Sequence, residues 1–132
     1  MTFAIDSNII SYFLKQDSKI KSKLKTESQK ENLFIIPPIV YYEVKRWLLE
    51  KQALSKMREF EKLCKMIPIG EMNRNIWDKA SSLYVYARKM GKPADDADLL
   101  IAAFCVVNDY TLVTNNVRHF EFIKDLKYTN WK

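Results

Sequence analysis

The sequence predicts an α/β domain of three layers (α/β/α), in which a central, mainly parallel sheet carries helices on both faces. Short β-prone runs alternate along the chain with longer stretches of helical periodicity, as such folds require. The chain has only 2 Gly and 4 Pro and no low-complexity tract that would divide it. Because 48% of its 132 residues are hydrophobic, there is enough apolar surface for one core, and we expect a single domain over residues 1–132.

Each element is predicted from its own pattern. Apolar residues three or four positions apart indicate helices, and short β-prone runs bounded by turn residues indicate strands. The first half of the chain predicts a strand at 2–5, a helix opening at 6–8, a polar helix at 17–30, a strand at 33–36 ended by Pro37 and Pro38, and helices around 40–48 and 54–64. A short strand at 66–69 and a helix at 76–87 that stops before Gly91 and Pro93 follow. The last part predicts a helix opened by Asp95, Asp96 and Asp98 with its body at 99–107, a strand at 111–113, a short helix at 115–122 and an edge strand at 127–131. The helix at 99–107 is apolar on every side, so it should be the most buried.

The charge balance favours a polyanionic partner. Lys and Arg total 22 against 16 Asp and Glu, which gives a net charge of +6. Six lysines predict a basic surface, either an ordinary solvated helix face or a contact for the phosphates of a nucleic acid: Lys15, Lys19, Lys21, Lys23, Lys25 and Lys30.

The N-terminus lacks the features of a secretory signal, and no run is long enough for a membrane span, so we expect a cytoplasmic protein.

Cys64 and Cys105 have neither a Cys-x-x-Cys pattern nor a neighbouring His in sequence. We expect both to be reduced thiols in the core.

Three carboxylates stand where the predicted fold gathers functional groups. Asp6 follows the first strand, Glu43 lies at the margin of an apolar helix face, and Asp98 lies in the first turn of the most apolar helix. Each has an ordinary alternative, since Asp6 can simply cap a helix and Glu43 can be a rim residue paired with Lys or Arg. Asp98 is one of three Asp at the start of its helix, of which one is expected to act as a cap. Brought together, the three would repel one another and raise their pKa values, so the pattern implies a hard cation such as Mg²⁺. Such an ion assists in-line displacement at a phosphate.

Several segments resemble a known family. FAIDSNIISYFL, IPPIVYYEVKRWL and GKPADDADLLIAAFCVVNDYTLVTNNVRHFEFI are similar to the PIN-domain ribonucleases, and most closely to the VapC toxins of bacterial and archaeal toxin–antitoxin pairs. The resemblance runs from Thr2 to Trp131, and DADLLIAA followed by LVTNN is its most specific part. It implies an RNA-cleaving enzyme that uses Mg²⁺ or Mn²⁺, is commonly a homodimer, and is inhibited by a small VapB-like antitoxin. Exposed residues between 33 and 60 are candidates for receiving an antitoxin helix.

By position, the resemblance assigns catalytic and metal-binding roles to three carboxylates, Asp6, Glu43 and Asp98. It assigns supporting roles to two polar residues, Asn8 and Thr114. Asn116 stands at the family's fourth acidic catalytic position, which removes one charge and puts the second metal site in doubt. Asp96 matches a position that is often acidic and is a further candidate metal ligand. We interpret Asp95 as a helix cap only.

The leading alternative is a catalytically inactive PIN-like module that binds nucleic acid, which the Asn116 departure leaves open. A receiver domain is disfavoured because no acidic pair ends the first strand, and a dehalogenase-type phosphatase would need Asp-x-Asp where the chain has Asp6-Ser7-Asn8. His119 is expected to be a surface polar residue, since metal-assisted cleavage does not need it as an acid.

Overall fold

Four parallel strands form the centre of the computed structural model, which describes residues 1–92 and 94–132. They are β1 (Thr2–Ile5), β2 (Leu33–Ile35), β3 (Thr111–Val113) and β4 (Lys127–Thr129), and they pair in the order β2-β1-β3-β4. Ala4 of β1 lies opposite Ile35 on one side and Leu112 on the other. The predicted three-layer α/β/α architecture is confirmed, and β4 lies at an edge as expected.

Six α-helices surround this sheet within the described residues. They are α1 (Ser7–Leu14), α2 (Ser18–Gln29), α3 (Pro38–Glu50), α4 (Leu54–Met66), α5 (Arg74–Lys89) and α6 (Asp96–Asn108). Polar side chains begin three of them, because Asp6, Asp17 and Asn73 accept hydrogen bonds from backbone N–H groups in the first turns of α1, α2 and α5. None of these helices is long and apolar enough to cross a membrane.

Helix α5 ends as its sequence predicts. Gly91 takes a left-handed conformation (φ 64°), which a residue with a Cβ adopts only at a cost, and the N–H of Lys92 donates to the carbonyl of Ala87 at 2.9 Å. Pro93, the other predicted stop signal, lies outside the described residues.

One cluster of buried hydrophobic residues extends from Phe3 to Trp131. Helix α6 contributes six of them, more than any other helix described, which confirms the prediction for this segment: Leu99, Ile101, Ala102, Ala103, Phe104 and Cys105. Asp98 therefore lies at the start of a helix whose body is fixed in the core.

The predicted strand at 66–69 is wrong. Met66 is the last residue of α4, and only Ile69 forms an isolated bridge, with Ile36. The helical periodicity of α4 continues through Met66, and Pro68 has no N–H to donate to a strand ladder.

The predicted helix at 115–122 is also wrong, since the structure has only a 3₁₀ turn at Val117–His119. The backbone N–H groups of Asn115 and Asn116 donate to the side chains of Asn8 and Thr114, at 2.9 and 3.0 Å. The bonds that follow run from His119 to Asn116 and from Phe120 to Val117, both 3.0 Å, and their three-residue spacing is that of a 3₁₀ turn.

Two smaller expectations need correction. Asp95 occupies the N-cap position of α6, but its side chain makes no capping hydrogen bond. Both cysteines are free thiols as predicted, yet only Cys105 is buried, while Cys64 is partly exposed.

Candidate metal centre and its two cavities

Asp6 is held at the end of β1 by its neighbours. Its backbone N–H donates to Val113 at 3.0 Å, which continues the sheet, and its side chain is 4% exposed. One carboxylate oxygen accepts the backbone N–H of Ser7 at 2.7 Å. The other accepts the Thr114 hydroxyl at 2.7 Å and the Asn8 amide at 3.2 Å. Burial raises the pKa of Asp6, while these hydrogen bonds oppose the rise.

The loop after β3 fixes these partners in turn. Thr114 is fully buried, and its hydroxyl oxygen accepts the backbone N–H of Asn116 at 3.0 Å. The side-chain oxygen of Asn8 accepts the N–H of Asn115 at 2.9 Å, and the Asn115 amide donates to the Tyr12 hydroxyl at 3.0 Å. Hydrogen bonds therefore join the carboxyl ends of β1 and β3, where the resemblance placed Asn8 and Thr114.

Glu43 is partly buried on α3, and its Oε1 atom is buried without a hydrogen-bond partner among the described residues. Burial raises its pKa, the charges of Asp6 and Asp98 raise it further, and Arg46 opposes the rise. An orphaned anionic oxygen beside two other carboxylates is unfavourable by itself. A bound cation would give that oxygen a partner and neutralise the repulsion.

Asp98 lies in the first turn of α6, with its side chain 22% exposed. Its Oδ2 atom is 3.0 Å from Nδ1 of His119. Burial raises the pKa of Asp98, the charge of His119 lowers it, and the charge of Asp6 raises it. His119 is exposed as expected, but the sequence did not predict its contact with Asp98. The one available signal was that His119 follows β3 closely, so its loop returns to the same sheet edge.

Two cavities open at these carboxylates. Asp98 lines a cavity of about 280 Å³ together with Lys92, Arg118 and His119. Glu43 lines a second, of about 420 Å³, whose other walls include Ser7, Asn8, Arg46, Trp47 and Asn116. None of the six lysines predicted to form a basic surface lines either cavity, so the basic groups at the site are ones that the sequence did not identify.

The structure separates Asp96 from the other predicted metal ligands. It lines a different cavity, between α5 and α6, with Trp77 and Tyr84. Asp96 and Asp98 are two positions apart on a helix, so their side chains point in nearly opposite directions.

The carboxylates of Asp6, Glu43 and Asp98 affect one another's pKa values through their charges, but they do not form a closed set of metal ligands. The charge of Asp6 reaches both Glu43 and Asp98. Within residues 1–92 and 94–132, however, no three His, Cys, Asp or Glu side chains are grouped tightly enough to enclose an ion. Mg²⁺ keeps several waters and typically takes one or two protein carboxylates, so an open, all-oxygen donor set suits it. Burial, ahead of mutual repulsion, is the largest cause of each raised pKa.

Comparison with known proteins gives consistent results. A family model described as "PIN domain" matches residues 3–124. The chain is 26% identical to "Ribonuclease VapC1" of Haemophilus influenzae, over 99% of this chain and 98% of that protein. It superposes on VapBC-1 from nontypeable Haemophilus influenzae with a TM-score of 0.86 at 26% identity, covering 99% of this chain and 98% of that one. VapBC2 from Rickettsia felis, bound to a DNA fragment from its promoter, shares the fold with a TM-score of 0.93 at 24% identity over the full length of both chains.

Proposed function

Because this chain belongs to the PIN domain family, we propose that it is a metal-dependent endoribonuclease of the VapC toxin type. One observation carries the proposal: the Oε1 atom of Glu43 is buried without a hydrogen-bond partner among the described residues, while the charges of Asp6 and Asp98 reach the same carboxylate. A purely structural carboxylate would normally be paired with a donor or exposed to water. The arrangement is instead suited to a divalent cation, Mg²⁺ or Mn²⁺.

Asp6, Glu43 and Asp98 would hold the ion, which when bound polarises the phosphodiester and lowers the pKa of a water molecule. Thr114 and Asn8 fix the orientation of Asp6 through hydrogen bonds of 2.7 and 3.2 Å. His119 restrains Asp98 in the same way. The cationic groups of Lys92 and Arg118 line the cavity at Asp98 and attract the RNA phosphates.

A VapB-like antitoxin and a second copy of the chain are proposed partners in the cytoplasm. Structures of related proteins contain VapBC complexes, which supports the antitoxin. The exposed apolar side chains of Tyr42 and Leu49, both on α3, are suited to an amphipathic antitoxin helix. For the homodimer, α5 offers exposed Trp77, Tyr84 and Val85 on one helix.

The test is cleavage of RNA by the purified chain. We expect products with Mg²⁺ or Mn²⁺, none with excess chelator, and none from Asp6→Asn or Asp98→Asn. Asp78→Asn is the matched control, because Asp78 is exposed on α5 and lines neither cavity of the site. Asp96→Asn should also retain activity, since Asp96 lies in a different cavity.

Normal cleavage by both Asp6→Asn and Asp98→Asn would refute the proposal. Retention of RNA without products at any metal concentration would instead favour the catalytically inactive nucleic-acid-binding module. Circular dichroism of each variant checks that the fold survives, so that loss of activity reports on the site.

A further inference from the structure

Asn116 offers the cavity at Glu43 an amide that is not engaged elsewhere. The amides of Asn8 and Asn115 are tied into the network at the ends of β1 and β3. The Asn116 side chain is exposed and makes no hydrogen bond to the described residues, whereas its backbone N–H is anchored on Thr114 at 3.0 Å. The main chain is therefore fixed while the side chain remains available to a ligand.

The chemistry of this cavity suits a nucleobase better than a phosphate. With Glu43 committed to the ion, the remaining charged walls are Glu50 and Arg46, which offset each other and give a further phosphate no net attraction. The cavity at Asp98 has Lys92, Arg118 and the imidazole of His119 against two carboxylates, Asp95 and Asp98, and Asp98 would hold the ion, so it is the more favourable place for phosphate. The indole of Trp47 lines the cavity at Glu43 and can pack against a flat aromatic ligand.

The size of the cavity is also sufficient. At about 420 Å³ it falls within the range of roughly 300–1,000 Å³ that small-molecule sites occupy. An Asn amide donates and accepts side by side, so it can pair with a base edge that carries one acceptor and one donor, whereas a carboxylate at the same position can only accept.

Resting on the ribonuclease function proposed above, we infer that the cavity between α1 and α3 holds one unpaired base of the RNA, packed against Trp47 and recognised by Asn116. Asn116 is then a specificity-determining residue rather than a metal ligand. Because a base must leave its helical stack to enter, the substrate class is single-stranded RNA or an unpaired loop.

The experiment maps cleavage sites in a random-sequence, single-stranded RNA library for the wild type, Asn116→Ala and the isosteric Asn116→Asp. The wild type should prefer one or two bases beside the cut. Both variants should weaken that preference by about 5- to 100-fold, the range that one bidentate base contact supplies. Asn75→Ala is the matched control, since Asn75 is exposed on α5 and lines neither cavity of the site.

Two further measurements separate base recognition from other roles. Trp47→Leu should weaken binding of all sequences by about 5- to 100-fold without changing base preference, because stacking is tolerant of sequence. Trp47→Phe, which keeps a flat ring in the cavity, is its control and should retain most of the binding. The rise in melting temperature that Mg²⁺ produces should be the same in Asn116→Ala as in the wild type.

Unchanged base preference in Asn116→Ala would overturn the inference while leaving RNA cleavage intact. Loss of the Mg²⁺-induced melting shift in that variant would also overturn it, because Asn116 would then act on the metal. If the wild type cleaves no RNA, the proposed function fails, and the inference is then tested by binding alone. Fluorescence anisotropy measures the affinity of the wild type and of Asn116→Ala for four single-stranded homopolymer RNAs. A base preference of the wild type that disappears in Asn116→Ala supports the inference, and equal affinity profiles of the two proteins overturn it.

Discussion

Replacing Thr114 with valine removes one hydroxyl group from the centre of the site and keeps the shape of the side chain. That hydroxyl donates to the Asp6 carboxylate at 2.7 Å and accepts the N–H of Asn116 at 3.0 Å, and Thr114 is fully buried. A hydrogen bond to a charged acceptor contributes roughly 1.5–3 kcal/mol, and the abandoned N–H adds about 1 kcal/mol. We therefore expect Thr114→Val to lower the free energy of unfolding by about 2–4 kcal/mol.

Urea unfolding at neutral pH measures this change, with the slope of the transition showing whether the denatured state is unaffected. Thr111→Val is the matched control. Thr111 begins β3, the strand that Thr114 follows, and is 7% exposed, but its hydroxyl makes no hydrogen bond to the described residues, so its loss should cost no more than about 0.5 kcal/mol.

A second measurement links Thr114 to the metal. The hydrogen bond from Thr114 opposes the burial that raises the pKa of Asp6, so its removal should raise that pKa further and weaken Mg²⁺ binding. Equal losses of stability in Thr114→Val and Thr111→Val would refute the reasoning, because the network would then contribute nothing beyond packing.

Three further outcomes follow from particular contacts. Glu43→Gln should be more stable than the wild type without divalent ions, because it removes a charge that burial and two carboxylates disfavour. It should also lose the stabilisation that Mg²⁺ gives the wild type, which is roughly 1.4 kcal/mol at an Mg²⁺ concentration ten times the dissociation constant. An undiminished effect of Mg²⁺ in thermal melts would contradict the role of Glu43 as a metal ligand. Gly70→Ala should lower the free energy of unfolding by about 1–3 kcal/mol, because the added Cβ would lie 2.3 Å from Cζ of Phe104. The loss should be smaller in a Phe104→Leu background, and urea unfolding measures both. If the effects of the two substitutions simply add, the clash is contradicted. Burial pushes the pKa of Glu27 upward, but hydrogen bonds from Lys23 and Asn32 outweigh it and hold the pKa below its usual range. A lowered pKa stabilises the fold above the unfolded value, and that effect is lost as pH falls through the folded value. Glu27→Gln should therefore be less stable than the wild type at about pH 7, and the gap should shrink as the medium becomes acidic; a gap that does not shrink in urea unfolding would argue against this.

Local pattern was enough to predict the strands and long helices, because their apolar residues recur with the period of the element that buries them. The prediction at 66–69 was wrong because α4 continues through Met66 and Pro68 cannot donate to a ladder. At 115–122 a distant group contributes, because the side chain of Asn8, more than a hundred positions away, binds the N–H of Asn115, while the Thr114 hydroxyl binds that of Asn116.

The candidate site, like the fold, could be predicted from the sequence only in part. The order of strands nominated Asp6, since parallel strands end at one edge of the sheet, while Glu43 and Asp98 were nominated by their places on helices and by the family resemblance. The sequence did not separate Asp96 from Asp98, and it did not identify His119, Arg46 or Trp47 as neighbours of the carboxylates. These relations depend on which way each side chain leaves its helix or loop.

By itself, the sequence determined the α/β architecture, the buried character of α6 and the acidic positions, because these follow from periodicity and from residue type. Only the tertiary structure decided which carboxylates lie within reach of one another's charge, that Glu43 keeps a buried oxygen with no hydrogen-bond partner in the described part of the chain, and that Asn116 lines a cavity with Trp47. The physical reason is that burial and electrostatic coupling depend on distances in space between side chains from different elements, which spacing along the chain does not fix.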